Sequence, residues 1–186
     1  MVKSFQQCGK IWENTQKYGS FIFTFTTQKN AGMFVGEYNC KLDNRGRVLF
    51  PAALKRQLPA DQQERYVLKR DLYEKCLLLY PVSEWEKQSR LIKKRLNPFN
   101  KEHALFLREF YRGTAEIVLD ASGRILIPKK LYDYMECKGN ELVFAGQDGK
   151  IEIWSADLYE SKTTTETDVA ALAEKILGGD FYFEND

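Results

Sequence analysis

No run in this 186-residue sequence approaches the roughly 18–20 consecutive apolar residues that a membrane-spanning helix needs. The candidate Phe21–Phe25 is short and broken by Thr24. A signal peptide is disfavoured too, because polar Gln6, Gln7, Glu13 and Asn14 stand where a continuous apolar region belongs. A cytoplasmic protein is therefore expected. Histidine is nearly missing: His103 is the only one, and a core or helix-surface role is expected for it. The signatures G-x-x-x-x-G-K-[ST], H-E-x-x-H and G-x-S-x-G are absent, which removes the familiar nucleotide, zinc-protease and nucleophile-elbow chemistries and leaves carboxylate chemistry open. Cys8, Cys40, Cys76 and Cys137 form no C-x-x-C pair, so neither a zinc knuckle nor a redox motif is indicated and scattered structural thiols are expected. No catalytic residue, cofactor or metal site is expected.

Strong net charge is lacking as well, at +2 overall, but the balance is uneven. Residues 33–140 carry 21 Lys+Arg against 14 Asp+Glu, whereas residues 141–186 carry 3 against 11, and residues 1–32 carry 4 against 1. Basic charge is thus concentrated where a polyanion can use it, although a solvated basic face would look the same.

What is present is a repeat. Leu42–Leu58 reads LDNRGRVLFPAALKRQL and Leu119–Met135 reads LDASGRILIPKKLYDYM, at a constant offset of 77 residues. Leu42, Asp43, Gly46, Arg47, Leu49, Pro51 and Leu54 recur as Leu119, Asp120, Gly123, Arg124, Leu126, Pro128 and Leu131. More loosely, Cys76–Trp85 matches Lys150–Tyr159, with Tyr80 against Trp154 and Trp85 against Tyr159. These aromatics are expected to be core residues of matching strand–helix corners.

Local chemistry orders each copy as strand, turn, strand, short helix, strand, hairpin, strand, helix. Asp43–Gly46 and Asp120–Gly123 are turns in which Asp bonds its downstream backbone and Gly accepts positive φ. Pro51 and Pro128 suit the first turn of a helix, and Ala53, Leu54 and Leu58, then Leu131, Tyr132 and Met135, give partial apolar stripes. Gln147–Lys150 signals a further hairpin before the alternating strand Ile151–Trp154. Between the copies, Pro81–Leu96 and Lys101–Tyr111 are predicted helices split by Asn97–Pro98; Ser83 and Glu86 have capping-box spacing, and Trp85, Ile92 and Leu96 share a face. His103–Tyr111 is apolar on most sides and is expected to be deeply packed. Asp168 is predicted to cap a last helix with Val169, Leu172, Ala173 and Ile176 on one face, closed by Gly178–Gly179. The stretch Phe21–Thr27 is a candidate extra strand, and the tail from Phe181 to Asp186 is expected to be loose.

The doubled D-x-x-G-R followed by an apolar run and Pro, with Met33–Tyr38 reading MFVGEY, resembles the MraZ family of bacterial transcription regulators. The likeness spans about Met33 to Tyr159. It implies an α+β fold: two AbrB-like swapped-hairpin β-barrel units in pseudo-two-fold arrangement, with connecting helices. The expected division is 1–32 as an N-terminal extension, disordered or upstream of a misassigned start, then 33–85 as the first unit and 86–112 as a helical connector. The second unit is expected at 113–160, with linker, C-terminal helix and tail at 161–186. The resemblance also implies binding to double-stranded DNA with short G-containing direct repeats, and regulation of the division and cell-wall gene cluster including its own promoter. A ring-like homo-oligomer and a nucleoid-associated location follow from the same likeness. An AbrB-like protein-interaction module without DNA binding is the alternative, with an enzyme behind it.

Under that reading Arg47 and Arg124 leave their strands in a direction fixed by the turns, and guanidinium forks suit guanine O6 and N7 in the major groove. Arg45, Lys55 and Arg56 are expected beside the first motif and Lys129 and Lys130 beside the second, as phosphate contacts that set register. Ser122 stands where the first copy has Arg45, so the second loop is less basic. Asp43, Gly46, Asp120 and Gly123 are assigned to turn formation and orientation. Each Asp is also spaced to pair with its own Arg and stiffen the turn.

Overall fold

The computed structural model describes residues 33–162 and 166–177. The first copy forms β1 (Glu37–Lys41), β2 (Arg47–Leu49), α1 (Ala52–Lys55), a single 3-10 turn (Ala60–Gln62), β3 (Arg65–Arg70) and β4 (Leu77–Pro81). Helices α2 (Val82–Arg95) and α3 (Lys101–Tyr111) follow. The second copy forms β5 (Ala115–Val118), β6 (Arg124–Leu126), α4 (Lys129–Tyr134), β7 (Glu141–Gln147), β8 (Lys150–Ser155) and α5 (Ala156–Ser161), and α6 (Glu166–Leu177) comes last.

Strand pairing is antiparallel throughout and gives a mixed α+β chain. Six strands lie in the order β1-β7-β8-β4-β3-β5, and β2 pairs with β6 in a separate ribbon. Exchanging each strand for its counterpart reverses that order without changing it, so a pseudo-two-fold axis passes between β4 and β8. The outer strands cross between copies: β1 pairs with β7, Glu37 opposite Ala145, and β5 pairs with β3, Ala115 opposite Leu68. Among the described residues, hydrogen-bonded pairing gives this sheet and the ribbon; no pairing of β1 with β5 joins the sheet edges.

Alternation along the strands explains the layering, since successive side chains point to opposite faces. Leu68, Leu77 and Leu79 from the first copy meet Leu142, Phe144, Ile151 and Ile153 from the second in one buried cluster. Val48, Phe50, Leu54 and Leu58 close it from one side, and Ile125, Ile127, Leu131 and Met135 from the other. The predicted short helices thus supply their stripes to a single core. Pro51 and Pro128 stand one position earlier than expected, as the capping residues before α1 and α4.

The opposite face of the sheet carries the smaller cluster of Cys76, Leu78, Val143 and Trp154. There the matched aromatic corners pack, with ring centroids 5.9 Å apart for Tyr80–Trp85 and 6.0 Å for Trp154–Tyr159, but of the four expected core residues only Trp154 is buried; Tyr80, Trp85 and Tyr159 are half-buried. Trp85 also lies flat on Phe110 of α3, at 5.5 Å and 3°. Cys40, Cys76 and Cys137 are free thiols, and burial pushes Cys40 up to about 11. Phe34 is fully buried, and its backbone N–H donates to the Asp148 carbonyl at 2.7 Å. Gly146 leaves room for this segment: a Cβ there would lie 2.8 Å from the Phe34 backbone.

Three local expectations are corrected. The Ser83–Glu86 capping box does not form, because Pro81 ends β4 and itself holds the capping position of α2; the Ser83 hydroxyl donates instead to Gln62 Oε1 at 2.7 Å. Helix α3 is not deeply packed. Only Phe110 is buried, while Leu105 and Phe106 face solvent, because one side alone of α3 meets Trp85 and the sheet. Asp168 lies inside α6, which begins at Glu166, and so is not its cap. His103 sits on the α3 surface, where Nδ1 accepts from the Asn97 backbone N–H at 2.8 Å. The stretch Phe21–Thr27, the Gly178–Gly179 stop and the Phe181–Asp186 tail lie outside the described residues.

Candidate nucleic-acid interface

Each D-x-x-G-R turn is built the same way. Asp43 Oδ1 accepts from the backbone N–H of Arg45 and of Arg47, each at 2.9 Å, and the Asp43 N–H donates to the Arg47 carbonyl at 2.8 Å. In the second copy Asp120 Oδ1 accepts from Ser122 at 2.8 Å and Arg124 at 2.9 Å, with the same closing bond at 2.8 Å. Gly46 and Gly123 take φ of 77° and 72°, a conformation costly for a residue with a Cβ. Bonds from the Arg47 and Arg124 backbones are the largest influences holding the Asp43 and Asp120 carboxyls below their ordinary range.

The turns deliver β2 and β6 into the two-stranded ribbon. Val48 stands opposite Ile125, and both side chains point inward with no exposure. Arg47 then stands opposite Leu126 and Arg124 opposite Leu49. Period-two alternation places Arg47, Leu49, Arg124 and Leu126 together on the outer face. Leu49 and Leu126 are 59% and 55% exposed, so each arginine has an exposed apolar residue as its cross-strand partner. Reading the apolar strands as units missed these leucines; their i+2 spacing from Arg47 and Arg124 was the available signal.

The ribbon continues past its strands, since the Phe50 N–H donates to the Gly123 carbonyl and the Ile127 N–H to the Gly46 carbonyl, each at 2.9 Å. This cross-connection regroups the predicted basic residues. The first turn, with Arg45, lies against the start of the second copy's α4, where Lys129 and Lys130 are exposed. The second turn lies against the start of the first copy's α1: Ser122 and Gly123 share a groove of about 620 Å³ with Lys41, Ala52, Ala53 and Lys55. The turn that carries Arg45 therefore lies beside the start of α4 in the second copy rather than beside its own α1. Arg56 is exposed just beyond α1, and Lys55 is half-buried.

The arginines are held unequally. Arg47 Nε and Nη2 both approach Asp43 Oδ2, at 3.0 and 2.9 Å. Arg124 Nη1 faces that same oxygen at 3.9 Å, so the expected Asp120–Arg124 pair gives way to a contact across copies. These groups are about one-third exposed or more, so the pairs contribute little net stability; their effect is to aim the guanidiniums. The resulting surface is a narrow antiparallel ribbon with two directed guanidinium groups and lysines at its ends. A two-stranded ribbon fits the B-DNA major groove, which is about 12 Å wide.

A family profile described as "MraZ protein, putative antitoxin-like" matches the chain twice, at residues 33–109 and 110–177. A protein of Flavobacterium psychrophilum named Transcriptional regulator MraZ is 42% identical over 145 residues, covering 77% of this chain and 91% of that relative. Proteins of the same name from Bacteroides thetaiotaomicron and Clostridium acetobutylicum are 35% and 33% identical over 144 residues. Each alignment covers 77% of this chain, and 92% and 96% of the respective relatives.

Proposed function

The chain belongs to the MraZ family, and from that premise we propose that it is a transcriptional regulator that reads double-stranded DNA with the β2–β6 ribbon. The observation that supports this most is the antiparallel pairing of the two D-x-x-G-R segments, which turns one repeated sequence into one outward surface bearing Arg47 and Arg124. A stiff, pre-aimed guanidinium loses little freedom on meeting guanine, and Leu49 and Leu126 offer apolar contact to thymine methyls. Arg45, Lys55, Arg56, Lys129 and Lys130 take phosphates on either side, while Asp43, Gly46, Asp120 and Gly123 hold the turns.

The finer reading is of two AbrB-like swapped-hairpin units, 33–85 and 113–160, with 86–112 as connector and 161–186 as linker, helix and tail. The crossing of β1 and β5 between copies supports that organisation. The regulator acts without catalysis, in the cytoplasm at the nucleoid. It assembles into a ring-like homo-oligomer on short G-containing direct repeats upstream of the division and cell-wall genes, its own promoter included. Repetition of weak contacts at high effective concentration gives such an assembly its affinity.

The test is binding of the full chain to a duplex carrying that promoter and to a scrambled duplex, across salt concentrations. Operator preference combined with a steep salt dependence is expected. Equal, salt-insensitive or absent binding on both duplexes overturns the reading and leaves a protein-interaction module.

A further inference from the structure

Two apolar surfaces of the chain stand without cover, and they complement each other. The first is a groove of about 770 Å³ between α2 and α3. Leu96, Ala104 and Leu107 line it together with Lys93, Arg108 and Arg112, and none of its described lining residues carries a carboxylate. Charge over the two helices has the same sign, since residues 82–112 hold 8 Lys+Arg against 4 Asp+Glu. The second surface is on α6. Helical spacing puts Val169, Leu172, Ala173 and Ile176 on one face, yet Val169, Leu172 and Ile176 are 51%, 54% and 67% exposed, so the described residues leave that face open. Asp168 borders the stripe one turn before Leu172, and residues 166–186 hold 1 Lys+Arg against 6 Asp+Glu. The 12 residues of α6 span about 18 Å, against about 16 Å for the 11 of α3. Trp85 on Phe110 folds α3 back onto the first copy, whereas no described side chain of α6 is buried.

We propose that the apolar face of α6 docks into the α2–α3 groove of a second copy of this chain. Each copy has one groove and one helix, so the contact is heterologous. It leaves a free helix at one end and a free groove at the other, and it repeats head to tail until a ring closes. The proposal rests on the ring assembly proposed above and supplies the surface that builds it. Apolar burial gives the contact its strength, while the opposed charges guide the partners together and make the contact weaken as salt rises. Docking leaves the DNA-reading surface free. Helix α3 packs on the sheet face opposite the β2–β6 ribbon, where the Phe110 ring lies 4.5 Å from the Lys69 ammonium.

The experiment measures the mass of the full chain by light scattering. The wild type is expected to give a closed oligomer. Leu172→Asp with Ile176→Asp changes side chains that are exposed in their own chain, and should reduce the mass to one chain with an unchanged melting temperature. Ala104→Glu, at an exposed position of the groove, should do the same from the other side. Mixed one to one, the two variants share one intact groove and one intact helix, and should form a pair of chains and nothing larger. A folded helix variant or groove variant that keeps the wild-type mass overturns the proposal while leaving the ring standing. Two monomeric variants that fail to pair on mixing overturn it as well, the result expected if α6 folds onto its own groove. A monomeric wild type at concentrations where it binds DNA sinks the ring reading itself, and this contact with it.

Discussion

Val48 and Ile125 occupy the same place in the two copies and are each other's partners across the ribbon. A residue can pair with its own counterpart only on a symmetry axis, so this buried contact marks where the pseudo-two-fold axis leaves the sheet and enters the candidate interface. The outward arginines occupy symmetric positions because the inward pair does, although their side chains are held unequally.

Ile125→Ala should therefore damage both copies at once. Loss of a fully buried Ile side chain costs about 2–5 kcal/mol, and Val48→Ala on top should be non-additive because the two side chains adjoin. Denaturant titration of both single variants and the double checks this; simple additivity would mean that the two sides pack independently.

Arg47→Ala should abolish operator preference while the fold and assembly persist. If it reads guanine, its loss removes about 1–3 kcal/mol per engaged subunit, compounded across repeated boxes. Binding to operator and scrambled DNA is compared, with melting and light scattering as controls. Normal preference in well-folded Arg47→Ala would leave this residue only its turn-stiffening bonds to Asp43.

Lys55→Ala should weaken operator and random DNA alike and reduce the salt slope by roughly one, as for a single phosphate contact. Selective loss on the operator would instead make Lys55 a base reader.

Acid should loosen both turns. Asp43 and Asp120 are held below the ordinary 3.8 in the folded chain, so their contribution is complete above that value and disappears as pH falls through the depressed folded pKa. Asp43→Asn and Asp120→Asn retain an acceptor oxygen but no charge. Both should flatten the fall of melting temperature between about pH 4 and pH 2, Asp43→Asn more so because it also loses the Arg47 side-chain bond. Acid profiles that superimpose on the wild type would refute the assignment.

A chain beginning at Met33 should fold and bind DNA like the full chain, whereas Phe34→Ala in either should cost about 3–5 kcal/mol. Phe34 fills the core, and Gln57 ties down its neighbour by two bonds to the Val35 backbone, at 2.9 and 3.0 Å. Thermal melts and binding isotherms of the two chains, with and without Phe34→Ala, decide it.

Much of this fold was legible because its signals are local. Asp and Gly at fixed places in D-x-x-G-R specify a turn, Pro51 and Pro128 mark helix starts, and alternation in Ile151–Trp154 gives a strand. Partnership across a hundred residues leaves no such local trace. Proximity in sequence groups Arg45 with Lys55, whereas the Gly46–Ile127 hydrogen bond brings its turn beside the start of α4. Spacing matches Asp120 to Arg124, but the ion pair that Arg124 makes is with Asp43. Helix α3 misled for a different reason: its apolar side chains exceed what one packed face can cover, and Leu105 and Phe106 stay in water.

The crossing of β1 and β5 has a consequence for how the protein is made. Glu37 must wait for Ala145 to be synthesised before its strand has a neighbour, a delay of roughly 5–20 s at ordinary ribosome speeds. Until then the emerging first copy has β3 and β4 as a hairpin but no partner for β1, and half of its core is still unsynthesised. Folding is therefore expected to be late and concerted, with slow long-range closure, and a ribosome stalled between the copies would hold an aggregation-prone nascent chain instead of half a working regulator.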